Sequence, residues 1–195
     1  MQTALQSLFL VLLMVFSALG QETPRVSLFG GYSYRTREIY QDLHGWNSSV
    51  EARITNQLGV VADFGGNYGH EGSDPLKIHS FLFGPQFFMG RQGTFKPFVH
   101  ALFGGIRTSR TATLFVTPPC PELQHCFPVA SGTTTIRDSQ LAIALGGGFD
   151  LRLRDSFAVR FIQADYFTNR RDQSFNRWED NWRFSGGLVF YLGRK

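Results

Sequence analysis

The chain has 195 residues, 43% of them hydrophobic, 15% aromatic and only 17% charged, with 20 Phe and 21 Gly. That length suits one domain, and so few charges beside so much Phe and Gly point to many short strands and tight turns. The formal net charge is +4, yet the 19 basic residues are scattered and form no long run, which gives no support to nucleic-acid binding.

Residues 1–20 carry no charge and contain an apolar run, 8–15, followed by Ala18, Leu19 and Gly20. This pattern predicts a secretory signal peptide cleaved before Gln21, and the run is short for a spanning anchor, the competing reading. No later stretch has the apolar length that a membrane helix needs. Residues 21–195 are read as one barrel domain.

Period-two alternation bounded by Gly, Asn and Asp then recurs along the chain, with no convincing helical periodicity. It predicts strands at 25–34, 45–55, 58–66, 77–90, 94–107, 139–153, 156–168 and 181–192. Most are long enough to cross a bilayer at a tilt. Their connections alternate between long (35–44, 67–76, 108–138, 169–180) and short (56–57, 91–93, 154–155). All long loops thus fall at one end and all tight turns at the other, as in a barrel with periplasmic turns and extracellular loops. An even number of antiparallel strands can close, leaving no unpaired edge in lipid. The expected fold is all-β, an eight-stranded antiparallel up-and-down transmembrane β-barrel.

The longest connection holds Cys120 and Cys126 in a Pro-rich run. A close pair on an exported loop predicts a disulfide. A metal site built from Cys120, His125 and Cys126 is the competing reading, which lacks a second ligand pair. No metal and no cofactor are expected.

Alternation assigns the two faces. Val50, Ala52 and Ile54 oppose Ser49, Glu51 and Arg53; Val60, Ala62 and Phe64 oppose Val61, Asp63 and Gly65; Leu141, Ile143 and Leu145 oppose Ala142, Ala144, Gly146 and Asp150. In the seventh strand the alternation is mixed, which suggests a bulge between Arg160 and Gln163. The bulky apolar face is assigned to lipid and the small or polar face to the interior. The expected lumen groups are Glu51, Arg53, Asp63, Gln86, His100, Asp150, Gln163 and Asp165. Both signs are present, so they are read as a structural polar network, with a proton or ion pathway as the functional alternative. An eight-stranded barrel is filled by side chains, so no open pore is expected.

Aromatic residues gather towards strand ends: Tyr32, Tyr34, Trp46, Phe64, Tyr166, Phe167, Trp182 and Phe184 on the loop side, Phe87, Phe88, Phe95, Phe98, Phe157, Phe190 and Tyr191 on the turn side. They are read as two interfacial belts. Basic residues also gather on the loop side, namely Arg35, Arg37, Arg107, Arg110, Arg137, Arg170, Arg171, Arg177 and Arg183. Of these, Arg107, Arg110, Arg137, Arg170, Arg171 and Arg183 are candidates to contact lipopolysaccharide, because guanidinium forks match phosphate oxygens.

The segments VSLFGGYSY (26–34), GWNSSV (45–50), LGVVADF (58–64), PFVHALFG (97–104), GGGFD (146–150), RFIQADY (160–166) and FSGGLVF (184–190) share an order and spacing. Together they resemble the OmpA-like small outer-membrane β-barrel family in its single-domain form, without the peptidoglycan-binding domain. The resemblance implies an eight-stranded barrel inserted into the bacterial outer membrane by the outer-membrane assembly machinery. Closure of the first strand on the last and the segregation of the loops predict periplasmic termini and extracellular long loops, and the expected state is a monomer in outer-membrane lipid. The last strand resembles the assembly signal through Phe184, Leu188, Phe190 and Leu192, but ends Gly193-Arg194-Lys195 rather than on an aromatic residue.

The expected function is non-enzymatic: envelope integrity or surface interaction through the loops. A soluble lipocalin-like ligand-binding barrel is one alternative, and would need an apolar lumen. A lipid-modifying barrel enzyme is another. Its adjacent pair, His79 and Ser80, would point to opposite faces of a strand, and no catalytic residue is assigned.

Overall fold

The computed structural model describes residues 26–37, 42–71, 74–89, 94–116, 129–170 and 178–192. The proposed signal peptide and the Cys120–Cys126 pair lie outside the described residues. The strands are β1 Val26–Arg37, β2 Leu43–Arg53, β3 Leu58–Glu71, β4 Asp74–Phe88, β5 Phe95–Val116, β6 Val129–Arg154, β7 Phe157–Arg170 and β8 Trp178–Leu192. Each pairs antiparallel with its sequence neighbour, and β1 closes on β8 into a complete ring. The architecture is an eight-stranded up-and-down barrel.

The closing seam is lined with glycine. Gly31 faces Gly187, and Tyr32 faces Gly186. A Cβ added at Gly31 would stand 2.2 Å from the Gly186 carbonyl oxygen, and one at Gly187 would stand 2.3 Å from that of Gly30. The two backbones approach so closely there only because neither position carries a side chain.

At the tight-turn end the strands stop within a residue or two of the expected limits. At the other end they run on. The expected loop 67–76 is almost entirely strand, with only residues 72–73 between β3 and β4. The expected loop 108–138 is largely a continuation of β5 and β6, paired from Arg107 and Ser139 up to Val116 and Val129. The alternation of long and short loops is therefore mostly an extension of strands past one rim. Pairing of β4 with β5 stops at Arg110, and pairing of β6 with β7 stops at Ala142. Above those points β5 and β6 form a two-stranded ribbon. It escaped the alternation because its sequence is polar and Thr-rich and none of its described side chains is buried, so no side is marked.

Within the barrel wall, side chains alternate as the pleat requires. Val50, Val60, Phe81, Phe83, Phe103, Ile143, Leu145, Leu188 and Phe190 are exposed on the outer surface. The inward set is small, polar or tightly packed. Leu43, Leu76, Ile78, Ile106 and Phe167 form part of one buried apolar cluster, in the half of the barrel nearer the extended rim. Phe29, Ala158 and Val189 form a second nearer the tight turns, with Tyr191 packed against it. Four aromatics expected in the outer belts belong inside instead: Tyr191 packs against the second cluster, and Phe88, Phe98 and Phe167 are all buried. The parity of these three phenylalanines on their strands matches Gln86, His100 and Asp165, so position near a strand end did not decide which way they point.

The irregularity in β7 lies where the mixed alternation suggests it. Pairing with β8 passes from Arg160–Gly187 to Gln163–Ser185, so three steps on β7 face two on β8. Phe161 and Ile162 are consecutive yet both exposed, while Arg160 and Gln163 on either side are buried. The bulge thus carries the inward face from even to odd positions.

Candidate functional site

The interior is crossed by one continuous chain of polar side chains. It starts near the tight turns, where Arg53 Nε lies 3.4 Å from Glu51 Oε1 and stacks its guanidinium 3.8 Å above the Phe88 ring. Gln86 Nε2 donates to Glu51 Oε2 at 2.7 Å, and its Oε1 lies 3.4 Å from His100 Nδ1. The other ring nitrogen, Nε2, meets Asp165 Oδ1 at 2.8 Å.

Asp165 is the junction of the chain. Its Oδ2 accepts from Gln163 Nε2 at 2.9 Å and from Arg183 Nε and Nη2 at 2.9 and 2.6 Å. Arg183 Nη1 then donates to Asp63 Oδ1 at 2.7 Å, and Asn47 Nδ2 donates to Asp63 Oδ2 at 2.9 Å. From Gln163 a branch runs to Arg160, whose Nη1 donates to Gln163 Oε1 at 2.7 Å. The Arg160 fork grips Asp150 at 2.7 and 3.1 Å. The same guanidinium lies 4.5 Å from the Phe29 ring centre and 4.3 Å from that of Phe98, a stacking that suits a desolvated Arg.

Glu51, Arg53, Asp63, Gln86, His100, Asp150, Gln163 and Asp165 are all in this chain. The sequence reading missed Arg160, Arg183 and Asn47. Arg183 corrects an expectation: placed among the lipopolysaccharide-contacting arginines, it is 0% exposed and ion-paired to two carboxylates. Arg35, grouped with the same surface set, is also buried, its guanidinium 4.3 Å from the Phe167 ring centre. The signal was available, because Trp182 and Phe184 flank Arg183 and face outward, so alternation turns Arg183 inward.

Space for these groups is made by glycine. A Cβ at Gly146 would stand 2.1 Å from Asp165 Oδ1, and one at Gly65 would stand 2.7 Å from Ser80 Oγ and 3.2 Å from Arg183 Nη1.

Several links join strands that are not neighbours. Gln86 of β4 reaches over β3 to Glu51 of β2, His100 of β5 over β6 to Asp165 of β7, and Arg183 of β8 over β1 and β2 to Asp63 of β3. Charged hydrogen bonds of this kind are strong at low dielectric, and every carboxylate in the chain is held by at least one cation or amide. The arrangement braces the wall from strand to strand across the bore. His79 and Ser80 do not form a catalytic pair: Ser80 is buried, whereas His79 lies on the outer side with its Nε2 3.4 Å from Tyr68 Oη.

The remaining basic candidates divide. Arg107 and Arg137 are exposed on the outer surface. Arg110 pairs with Asp74 at 3.4 Å. The side chains of Arg37 and Arg170, and the whole of Arg171 and Arg177, lie outside the described residues.

No protein-family model matches the chain, and no curated protein matches it in sequence. Solved structures do match its shape. The attachment invasion locus protein Ail of Yersinia pestis is 18% identical over 86% of this chain and 97% of its own, at a TM-score of 0.50. Neisserial surface protein A is 13% identical over 88% and 98%, at 0.58. The outer membrane protein OprG of Pseudomonas aeruginosa is 11% identical over 90% and 99%, at 0.53. The chain has the fold of the small eight-stranded outer-membrane barrels.

Proposed function

We propose that this chain is a non-enzymatic outer-membrane barrel of the OmpA-like kind, sealed along its axis, that acts through its lipid-facing wall and its extended rim. The single observation carrying this reading is the inversion of faces: large apolar side chains cover the outside while a continuous charged network is buried within. In water such an exterior would be a large aggregation-prone patch, whereas in a bilayer it is the required surface. A soluble ligand carrier is disfavoured by the same observation, since its bore would have to accept an apolar guest among Arg160, Asp150, Asp165 and Arg183.

Bacterial outer-membrane residence, periplasmic termini and an extracellular rim follow from this reading, as does delivery by the assembly machinery. The tall β5–β6 ribbon is then the element best placed to meet other surfaces or to support envelope integrity. The protein is proposed to work as a monomer, because closure leaves no barrel-wall edge for a second copy.

The test is refolding of residues 21–195 into detergent, followed by electrophoresis with and without boiling, and by conductance in a planar bilayer. A mobility shift on boiling with no steady conductance supports the reading. A protein soluble without detergent and showing no shift would sink it, and sustained ion conductance would sink the sealed interior.

A further inference from the structure

Resting on the outer-membrane reading, we infer that the outer surface of β4–β6, just above the apolar band, is a binding site for the phosphate groups of an outer-leaflet glycolipid.

The register places the residues. One transverse row reads Tyr68, Lys77, Ser109, Arg137 across β3 to β6, and the next row towards the tight turns reads Gly66, His79, Arg107, Ser139. Below them lie Phe64, Phe81, Gly105 and Leu141, and then Ala62, Phe83, Phe103 and Ile143, which are the apolar wall. Polar, cationic residues thus begin where the large apolar side chains stop, the height at which lipid headgroups meet a barrel.

Lys77, Arg107 and Arg137 are exposed, and His79 is half-buried beside Tyr68. Neighbouring strands are about 4.8 Å apart, so Lys77 and Arg137, two strands apart, have Cα atoms about 10 Å from one another, with Arg107 between and below. Among the described residues no carboxylate pairs with Lys77, Arg107 or Arg137. The nearby acids are engaged elsewhere, Asp74 by Arg110 and Asp138 by Gln140.

Among the described side chains the band carries no further Lys or Arg: on β1, β2, β7 and β8 the outer positions are Tyr32, Tyr34, His44, Trp46, Tyr166, Trp182 and Phe184, with His44 bonded to the Tyr32 hydroxyl and Asp180 further up β8. Aromatics suit any lipid interface. Three unpaired cations gathered on one side, above an apolar wall, instead suit a lipid with acyl chains below and phosphate at headgroup height. Arg107 and Arg137 offer forked donors to phosphate oxygens, and Lys77 supplies a point charge.

The experiment mixes the refolded barrel, in detergent, with lipid A carrying its phosphates or with the same lipid A dephosphorylated, and counts retained lipid by native mass spectrometry. The wild type is expected to retain the phosphorylated form at least about tenfold better. Each of Lys77→Gln, Arg107→Gln and Arg137→Gln should weaken retention by about fivefold, and the triple variant by about a hundredfold. Arg154→Gln, at the tight-turn end, should leave it unchanged. Should the triple variant not refold, Lys77→Gln with Arg137→Gln carries the test, since both residues stand free of the barrel interior.

Equal retention of the two lipid forms, or a folded triple variant that binds like the wild type, overturns the site. Release of the lipid by millimolar inorganic phosphate would also overturn it, by assigning the patch to a free anion. A wild type with no heat-dependent shift would instead fail the barrel reading on which the site rests. A shift without phosphate preference fails the site alone.

Discussion

Arg183 of β8 and Asp63 of β3 meet at 2.7 Å although β1 and β2 separate their strands in the ring. The pair is a strut across the bore, and its other end is fixed by Asp165 on β7. Removing the cation leaves two carboxylates buried without it. Arg183→Leu should therefore destabilise the barrel by about 3–5 kcal/mol, measured as a lowered urea midpoint in vesicles. Adding Asp63→Asn and Asp165→Asn should recover most of that loss, since the uncompensated charges then disappear. A triple variant no more stable than the single one would show that the network does not work through charge balance.

Glycines of the wall separate into those that make room and those that do not. A methyl at Gly146 would overlap Asp165 Oδ1 at 2.1 Å and the Ala164 carbonyl oxygen at 2.6 Å, whereas one at Gly30 meets nothing within 4 Å. Gly146→Ala should cost about 1–3 kcal/mol as an overpacked site. Gly30→Ala should be neutral or slightly stabilising. Paired unfolding curves check the contrast, and equal effects at both positions would count against the packing argument.

The bulge in β7 predicts an unusual tolerance to deletion. Arg160 and Gln163 face inward with Phe161 and Ile162 both outside, so removing Ile162 restores plain alternation and leaves Gln163 and Asp165 on the inner face. That deletion should keep the heat-dependent shift. Removing Ala62 from β3, where pairing is regular, would turn Asp63 or its neighbours to the wrong face. It should abolish the shift.

Trp46 and Trp182 stand on the outer surface near the extended rim, 43% and 48% exposed. In vesicles their fluorescence should be quenched more by lipids brominated near the headgroup than by lipids brominated deep in the chains, once Trp178 is replaced by Phe. Stronger quenching from the deep position would move the membrane boundary away from the rows that define the proposed phosphate site.

Where one face of a strand is buried, the sequence declares the fold. Glu51, Asp63, Gln86, His100, Asp150 and Asp165 each sit opposite apolar neighbours, and each is inside. Arg183 and Arg35 were misread for a physical reason: an arginine near a strand end looks like a surface charge unless its parity is followed, and parity turns both inward. Phe88, Phe98 and Phe167 mislead in the opposite sense, because a Phe reads as lipid-facing although a charged bore also needs rings over its guanidinium groups. The partners of each charge were not readable, since His100–Asp165 and Arg183–Asp63 join strands whose proximity depends on closure. The β5–β6 ribbon was not legible because none of its described side chains is buried, so no alternation marks it.

The glycine-lined seam between β1 and β8 sets an order of events. These strands are the first and last of the ring, so their ladder can form only after nearly the whole chain has been gathered, which makes it the slowest contact to reach. Until then β1 offers an open template along one edge, and any extended segment that arrives early can occupy it. Gly31, Gly186 and Gly187 add little side-chain selectivity at that edge. Refolding yield should therefore fall with protein concentration through capture of unclosed chains, while a barrel that has closed is withdrawn from that competition altogether.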